Sequence, residues 1–167
     1  EEMVKTYIHS GCQAAYVGES IKILNDMIKW RLSDVSKEDE KDERYMDDEV
    51  RKDTRCTIFL GYSSSMISSG MREIIRYLCE HKMVDAVVAT AGGIEEDICK
   101  TSSKFYQGDF GYNGVDLRKK CINRVGNIFI PNSAYDGFEY LMVNTINEMQ
   151  DEQDKEGTIF SPSDIIR

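Results

Sequence analysis

The sequence predicts an α/β fold of the Rossmann-like type, an open and mostly parallel sheet with helices on both faces. Two short apolar runs indicate it, "CTIFLGY" at 56–62 and "MVDAVVAT" at 83–90, because such runs are typical of strands covered on both faces. Small residues and then a helical pattern follow each run. Strand, helix, strand and helix with short joints imply a right-handed parallel crossover.

The first 55 residues divide into a helical part and a charged part. Residues 1–32 form the predicted amino-terminal helical segment, in which Val17, Ile21, Leu24 and Ile28 recur at helical spacing and would pack on a core. Residues 33–55, "SDVSKEDEKDERYMDDEVRKDTR", are dense in charges of both signs. We interpret them as a charged linker or flexible loop, with an acidic binding face as the alternative.

Residues 56–167 are predicted to be an α/β nucleotide-binding portion, incomplete at its carboxyl end. Met71, Ile74, Ile75 and Leu78 lie in helical register, and "GGIEEDICK" opens a second helix. A further strand, "RVGNIFI", ends at Pro131, and "YDGFEYLMVNTINEMQDEQ" predicts another amphipathic helix. The closing "SPSDIIR" begins a helix with Ser161 as N-cap, which is unusual for the end of a domain.

Composition limits the classes of function. The 167 residues, 41% of them hydrophobic, suffice for one ordinary core, and the net charge of −9 disfavours nucleic acid as a partner. Five scattered cysteines and two histidines indicate neither a metal site nor a disulfide framework. No apolar run approaches the roughly 20 residues that span a membrane, and the acidic start lacks a signal-peptide pattern. We therefore predict no membrane partner and a cytoplasmic location.

The small residues at the two joints suggest a ligand site. In open parallel sheets, ligands bind beyond the carboxyl ends of the strands. Gly92 and Gly93 allow close approach to the backbone, and the serines of "SSSMISS" offer hydroxyl groups. A nucleotide would suit this edge, but both standard glycine-rich fingerprints are missing. Helix capping and turn formation are the alternative explanation of the serines.

Glu95 and Glu96 also allow two interpretations. Carboxylates in the first turn of a helix are stabilised by its dipole, which explains them without a ligand. At the mouth of a cleft, the same pair could hold an ammonium group by a charge-assisted hydrogen bond. Cys99, in contrast, has no sequence neighbour that would lower its thiol pKa and make it a nucleophile.

Several segments together resemble the amino-terminal half of the deoxyhypusine synthase family. They are "GCQAAYVGESIKILNDMI", "TIFLGYSSSMISSGMREIIRYL", "MVDAVVATAGGIEEDICK" and "INRVGNIFIPN", and "ISSGMRE" and "TAGGIEED" are the most specific. The resemblance implies a cytoplasmic, tetrameric transferase with NAD as cofactor. Such an enzyme moves the 4-aminobutyl group of spermidine, through an imine on an enzyme lysine, to one lysine of the eukaryotic translation initiation factor 5A precursor.

The resemblance also implies site residues. Ser64, Ser65, Met66, Ile67 and Ser68 match the family's first NAD-contacting loop, and Thr90, Ala91 and Gly92 match the second. Glu95 and Glu96 match the acids that meet the polyamine, with Glu96 also near the cofactor. Ser65 stands where the family often has asparagine, so that one amide contact to the cofactor is expected to be shortened or replaced by water.

No catalytic residue is predicted in this chain. The family's imine-forming lysine lies in its carboxyl-terminal half, and Lys100, Lys104, Lys119 and Lys120 match no catalytic motif. The lysine is therefore expected from that half as a second chain or from a further subunit. The alternatives are a non-catalytic regulatory or supporting subunit of such a synthase, and a related polyamine aminobutyltransferase.

Overall fold

The computed structural model describes residues 2–38 and 40–166, and the fold is mixed α/β with more helix than strand. The chain divides into two compact units. The first contains the described residues up to Leu60 together with Met83–Ala86, and the second contains Gly61–Lys82 and the described residues from Val87 onward. Among the described residues, no helix is both long enough and apolar enough to cross a membrane.

The α-helices are α1 (Glu2–Lys5), α2 (Cys12–Lys29), α3 (Asp48–Asp53), α4 (Ser64–Ser68), α5 (Met71–Glu80), α6 (Ala91–Ser102), α7 (Gly114–Lys119), α8 (Ser133–Glu156) and α9 (Pro162–Ile166). The strands are β1 (Phe59–Tyr62), β2 (Ala86–Ala89), β3 (Tyr106–Gln107), β4 (Ile122–Val125) and β5 (Ile128–Pro131). Short 3-10 helices span Thr6–His9, Leu32–Asp34 and Glu43–Tyr45.

Helix α2 forms as predicted, but the prediction that its apolar stripe packs on a core is wrong. Val17, Leu24 and Ile28 are 45%, 53% and 63% exposed. The buried residue of α2 is Gly18, where an added Cβ would clash with the backbone of Ile8. The helix therefore packs through a backbone approach that only glycine permits.

The charged segment 33–55 contains helix α3 and is organised around one buried cation. Arg51 is 2% exposed. Its guanidinium donates hydrogen bonds to the carbonyls of Tyr45 at 3.0 Å, Leu32 at 2.9 Å and Val35 at 2.6 Å, and lies 3.7 Å from a Glu40 carboxylate oxygen. Asp39 lies outside the described residues. The arginine thus gives donors to three carbonyls, of which that of Leu32 also accepts from the Val35 N–H at 3.2 Å.

Strands β1 and β2 lie side by side in a two-stranded sheet. The prediction that both are covered on both faces is wrong for this chain, since Phe59 is 68% and Val88 60% exposed. Two strands present outward faces that no layer among the described residues covers. Their apolar composition nevertheless matches strands that are covered on both sides.

The predicted single strand "RVGNIFI" is instead a hairpin. β4 and β5 pair antiparallel, with Arg124 opposite Phe129, and β3 adds to the other edge of β5 in the order β3-β5-β4. Gly126 has a φ of +60° in the turn, a conformation that side-chain-bearing residues rarely adopt. The Gly126-Asn127 dipeptide is a hairpin signal that the sequence interpretation missed.

A small core holds the second unit together. Cys99 of α6, Ile130 of β5 and Ala134 of α8 are fully buried, and half-buried apolar side chains such as Phe105 and Phe138 pack against them. An added Cβ at Gly137 would lie 2.6 Å from that of Ser102, so α8 approaches α6 closely. This core fixes α6, whose amino-terminal half contains most of the second predicted loop and the acidic pair.

Candidate functional site

The first predicted ligand loop is itself the short helix α4 (Ser64–Ser68), and the second, 90–92, forms the amino end of α6; the two helices pack against each other. Ser63 precedes α4 and Thr90 precedes α6, and both have the extended backbone of an N-cap residue. Neither side chain makes the capping hydrogen bond that its position permits. Ser69, in contrast, fits the capping and turn explanation, because its hydroxyl accepts from the Met71 N–H at the start of α5 at 3.2 Å and donates to the Met66 carbonyl at 2.7 Å.

The glycines of the second loop have a packing role. A Cβ added at Gly92 would lie 2.9 Å from the Cβ of Ser64, and one added at Gly93 would lie 3.1 Å from the ring of Tyr62. Both distances are shorter than ordinary van der Waals contacts, so glycine allows α6 to approach α4 and β1. Burial of its ring raises the pKa of Tyr62, with Asp97 adding to the effect.

The residues predicted to contact a cofactor differ in exposure. Three of them, Ser65, Thr90 and Ala91, are exposed. Ser64, Met66, Gly92 and Glu96 are half-buried, and Ile67 and Ser68 are buried. Among the described residues, the hydroxyls of Ser64, Ser65 and Thr90 have no hydrogen-bond partner and remain free to meet a ligand.

One hydrogen bond joins the first predicted loop to the acidic pair. The Ser68 hydroxyl donates to a carboxylate oxygen of Glu96. Ser68 is buried and Glu96 half-buried, so this bond lies in surroundings where charge-assisted hydrogen bonds are stronger than in water. The structure thus brings together two predicted site residues that are 28 positions apart in sequence.

The acidic pair acts on two neighbours that the sequence did not indicate as site residues. Burial raises the pKa of the Cys99 thiol and of the Tyr135 phenol, and the charges of Glu95 and Glu96 raise both pKa values further. The raised thiol pKa agrees with the prediction that Cys99 is not an activated nucleophile. Tyr135 places a neutral phenol near the two carboxylates. Its position in the sequence of α8 does not indicate that it lies near Glu95 and Glu96.

Arg72, Asp97 and Lys100 also belong to the surroundings of the loops. Asp97 accepts a 2.5 Å hydrogen bond from Arg72 Nε, so it pairs with a cation of α5. Lys100 donates to the Ser69 carbonyl at 3.0 Å and lies 5.3 Å from the Phe105 ring centroid. Burial, followed by the charge of Arg72, lowers the pKa of Lys100. A cavity of about 580 Å³ opens beside Ser68 and Lys100.

The described residues contain no group of three or more histidine, cysteine, aspartate or glutamate side chains that could hold a metal ion. The site instead offers free hydroxyls beside two half-buried carboxylates, at the joint of two packed helices. Such an arrangement can donate hydrogen bonds to a polar ligand and accept them from a cationic one. The geometry therefore defines a mixed α/β domain with a candidate ligand site.

Comparison with known proteins places this domain in a family. Residues 2–167 match the sequence model of deoxyhypusine synthase. The deoxyhypusine synthase of Nicotiana tabacum is 44% identical over 165 residues, which is 99% of this chain and 44% of that protein. A relative from Dictyostelium discoideum is 47% identical over 165 residues, covering 99% of this chain and 43% of the relative. The chain belongs to the deoxyhypusine synthase family, a family of transferases, and the resemblance is confirmed.

A solved structure agrees with this assignment. A crystal structure assigned to deoxyhypusine synthase from Entamoeba histolytica superposes with a TM-score of 0.63 at 30% sequence identity. The superposition covers 99% of this chain and 48% of that chain. The chain spans less than half the length of the curated relatives reported above.

Proposed function

We propose that this chain provides NAD-binding and spermidine-binding loops of a deoxyhypusine synthase. The enzyme transfers the 4-aminobutyl group of spermidine to a specific lysine of the eukaryotic translation initiation factor 5A precursor. The observation that carries the proposal is the Ser68–Glu96 hydrogen bond, because it joins the first segment that the family resemblance assigns to the cofactor to an acid that the resemblance assigns to the polyamine and the cofactor. Bound NAD supplies a hydride acceptor for the carbon beside the secondary amine of spermidine.

The residues present fit a dinucleotide. Ser64, Ser65 and Thr90 have hydroxyls without partners in the described chain, and these can donate to ribose or phosphate oxygens. Gly92 lacks a side chain where α6 begins, so a ligand can approach the backbone there. The side chains of Ile67 and Ser68 are buried, so they hold the segment in place and do not face a ligand on its exposed side.

The carboxylates fit a polyamine. Glu95 and Glu96 are half-buried and adjacent in α6, beyond its first turn, so the expectation that the helix dipole explains them is wrong. Glu96 is oriented by Ser68. A cation that leaves water needs a paired carboxylate to offset its desolvation. In this proposal the two acids hold ammonium groups of spermidine, and Tyr135 closes the site with a neutral phenol.

The lysine that forms the imine is proposed to come from a carboxyl-terminal half or from another subunit of a tetramer in the cytoplasm. The chain covers about 44% of its relatives' length. The exposed apolar residues Phe59 and Val88 support a sheet extended and covered by further polypeptide, in the Rossmann-like arrangement expected from the sequence. Lys100 is held by the Ser69 carbonyl and takes no catalytic role in this proposal.

The test is Glu96→Gln in the full-length, assembled protein. Glutamine keeps an oxygen for the Ser68 hydroxyl but removes the charge. We expect the KM for spermidine to rise about tenfold or more, since one charge-assisted hydrogen bond is lost. Glu139→Gln, which changes an exposed glutamate of α8, is the matched control. Unchanged spermidine kinetics in Glu96→Gln would remove the ammonium contact from the proposal.

A non-catalytic supporting subunit is the second candidate. The engagement of Lys100 by the Ser69 carbonyl is compatible with both candidates, since neither gives this lysine a catalytic role. Trapping the imine by borohydride reduction, followed by peptide mapping of every polypeptide in the preparation, separates the two. A labelled lysine in polypeptide continuous with this chain indicates the active synthase, and a label found exclusively on a different gene product indicates the supporting subunit.

A further inference from the structure

A second cavity, of about 500 Å³, lies between α7, β4 and the residue that precedes α8. Its lining includes Leu117 and Ile122 as an apolar floor, and Arg118, Asn123, Arg124 and Asn132 as polar walls. Among the described residues, no carboxylate lines it. Its two arginines give this lining a positive charge in a chain whose net charge is −9. The cavity shares no residue with the two predicted loops or the acidic pair.

Arg124 is fixed in place but keeps donors free. Its Nη1 donates to the carbonyls of Phe110 at 3.3 Å and Tyr112 at 2.7 Å. Its Nη2 and Nε have no acceptor among the described residues. A guanidinium anchored through one nitrogen loses little side-chain entropy when it binds an anion through the others.

The remaining polar groups also offer donors. Within the described ranges, the Arg118 side chain forms no hydrogen bond or ion pair. The Asn123 amide nitrogen donates to Asn132 Oδ1 at 3.1 Å, which leaves the amide nitrogen of Asn132 without an acceptor in the described chain. Two guanidinium groups and one amide therefore present donors and no opposing charge. This set matches a tetrahedral oxyanion better than a cation or an apolar ligand.

We propose that this cavity binds a phosphate group, in a site separate from the proposed spermidine contacts. The volume exceeds that of one phosphate ion, so the group can belong to a larger organic phosphate. Two sources share this chemistry, the pyrophosphate of a dinucleotide and an independent phosphate-bearing ligand. The inference goes beyond the proposed function and does not depend on it.

The test is a titration of the full-length, assembled protein with inorganic phosphate, without NAD or spermidine, followed by ³¹P line broadening at constant ionic strength. We expect saturable binding that Arg118→Gln weakens about tenfold or more, because a charged donor is lost. Arg118→Lys keeps the charge but loses the planar fork, and we expect an intermediate affinity. Arg76→Gln, which removes an exposed arginine of α5, should bind phosphate like the unaltered protein.

Three results would overturn the proposal: no saturable binding, equal weakening by Arg76→Gln and Arg118→Gln, or acetate binding as tightly as phosphate. Arg118 has no partner within the part of the chain that the structure describes, so its variants should keep the thermal midpoint of the unaltered protein when phosphate is absent. A second titration with NAD present identifies the source. Displacement of phosphate by NAD assigns the site to a dinucleotide, and undiminished binding assigns it to an independent ligand; both results support a phosphate site.

Discussion

The Ser68 hydroxyl donates its hydrogen bond to the Glu96 carboxylate, and so one side chain of α4 orients one of α6. Because Ser68 is buried, its hydroxyl cannot form a replacement hydrogen bond with water when this acceptor is removed. The bond therefore serves two purposes, holding α4 against α6 and fixing the direction of an acid at the candidate site.

Ser68→Ala tests the first purpose. We expect the free energy of unfolding to fall by about 1–2 kcal/mol, since a partly buried carboxylate loses a donor. Ser63→Ala is the matched control, because the Ser63 side chain makes no capping hydrogen bond, and it should stay within about 0.5 kcal/mol of the unaltered protein. Urea unfolding monitored by circular dichroism measures both. Equal effects of the two substitutions would show that the bond contributes nothing to stability.

The sequence predicted most of the helices around the site, but not which of their residues contact one another. Apolar spacing indicated α2, α5 and α8, and the small residues after the second apolar run indicated where α6 begins, because these signals are local. Helix α4 was missed, since its five residues were interpreted as a loop. Local signals cannot show that Gly92 faces Ser64 or that Tyr135 lies near Glu95. Those contacts depend on how distant segments pack.

Other differences between the sequence predictions and the structure have physical causes that the composition of a segment does not indicate. Arg51 is one of many charges in 33–55, and its burial depends on three carbonyls contributed by segments before it in the chain. The run at 124–130 was predicted to be one strand because apolar residues lie on both sides of the turn, Val125 before it and Ile128 after it. The apolar runs of β1 and β2 predicted burial that a two-stranded sheet does not provide.

Gly92→Ala tests the close packing of α6 against α4. The added Cβ would lie 2.9 Å from the Ser64 Cβ, so we expect a loss of about 1–3 kcal/mol in the free energy of unfolding through overpacking. Gly70→Ala adds the same atom where nothing lies within 4 Å, at a helical φ of −68°. That control should be neutral or stabilising by up to about 1 kcal/mol. If both variants unfold at the same urea concentration, the joint between the helices tolerates a side chain.

Arg51→Met tests whether one cation organises the charged segment. The substitution removes hydrogen bonds to three carbonyls, of which that of Leu32 keeps the Val35 N–H as a donor, and we expect a loss of about 3 kcal/mol in the free energy of unfolding. Proteolytic cleavage within 33–55 should become faster as well. Arg44→Met removes an exposed arginine that bonds to Asp42, and its effect should be within about 1 kcal/mol. Unchanged cleavage in Arg51→Met would contradict the assigned role.

Cys99 gives the protein a defined dependence on alkaline pH. Burial and the charges of Glu95 and Glu96 raise the pKa of its thiol above the ordinary value of 9.0 in the folded state. The unfolded chain therefore loses this proton first, so the free energy of unfolding falls as pH rises from the unfolded pKa towards the folded one. Cys99→Ala removes this contribution, and its stability should decline less between about pH 8 and pH 10.

In the unaltered protein, iodoacetamide at pH 8 should modify the exposed Cys12, Cys79 and Cys121 well before Cys99, as read by peptide mapping. Early modification of Cys99 would mean that α6 opens readily, and that the acidic pair is held less firmly than its packing indicates.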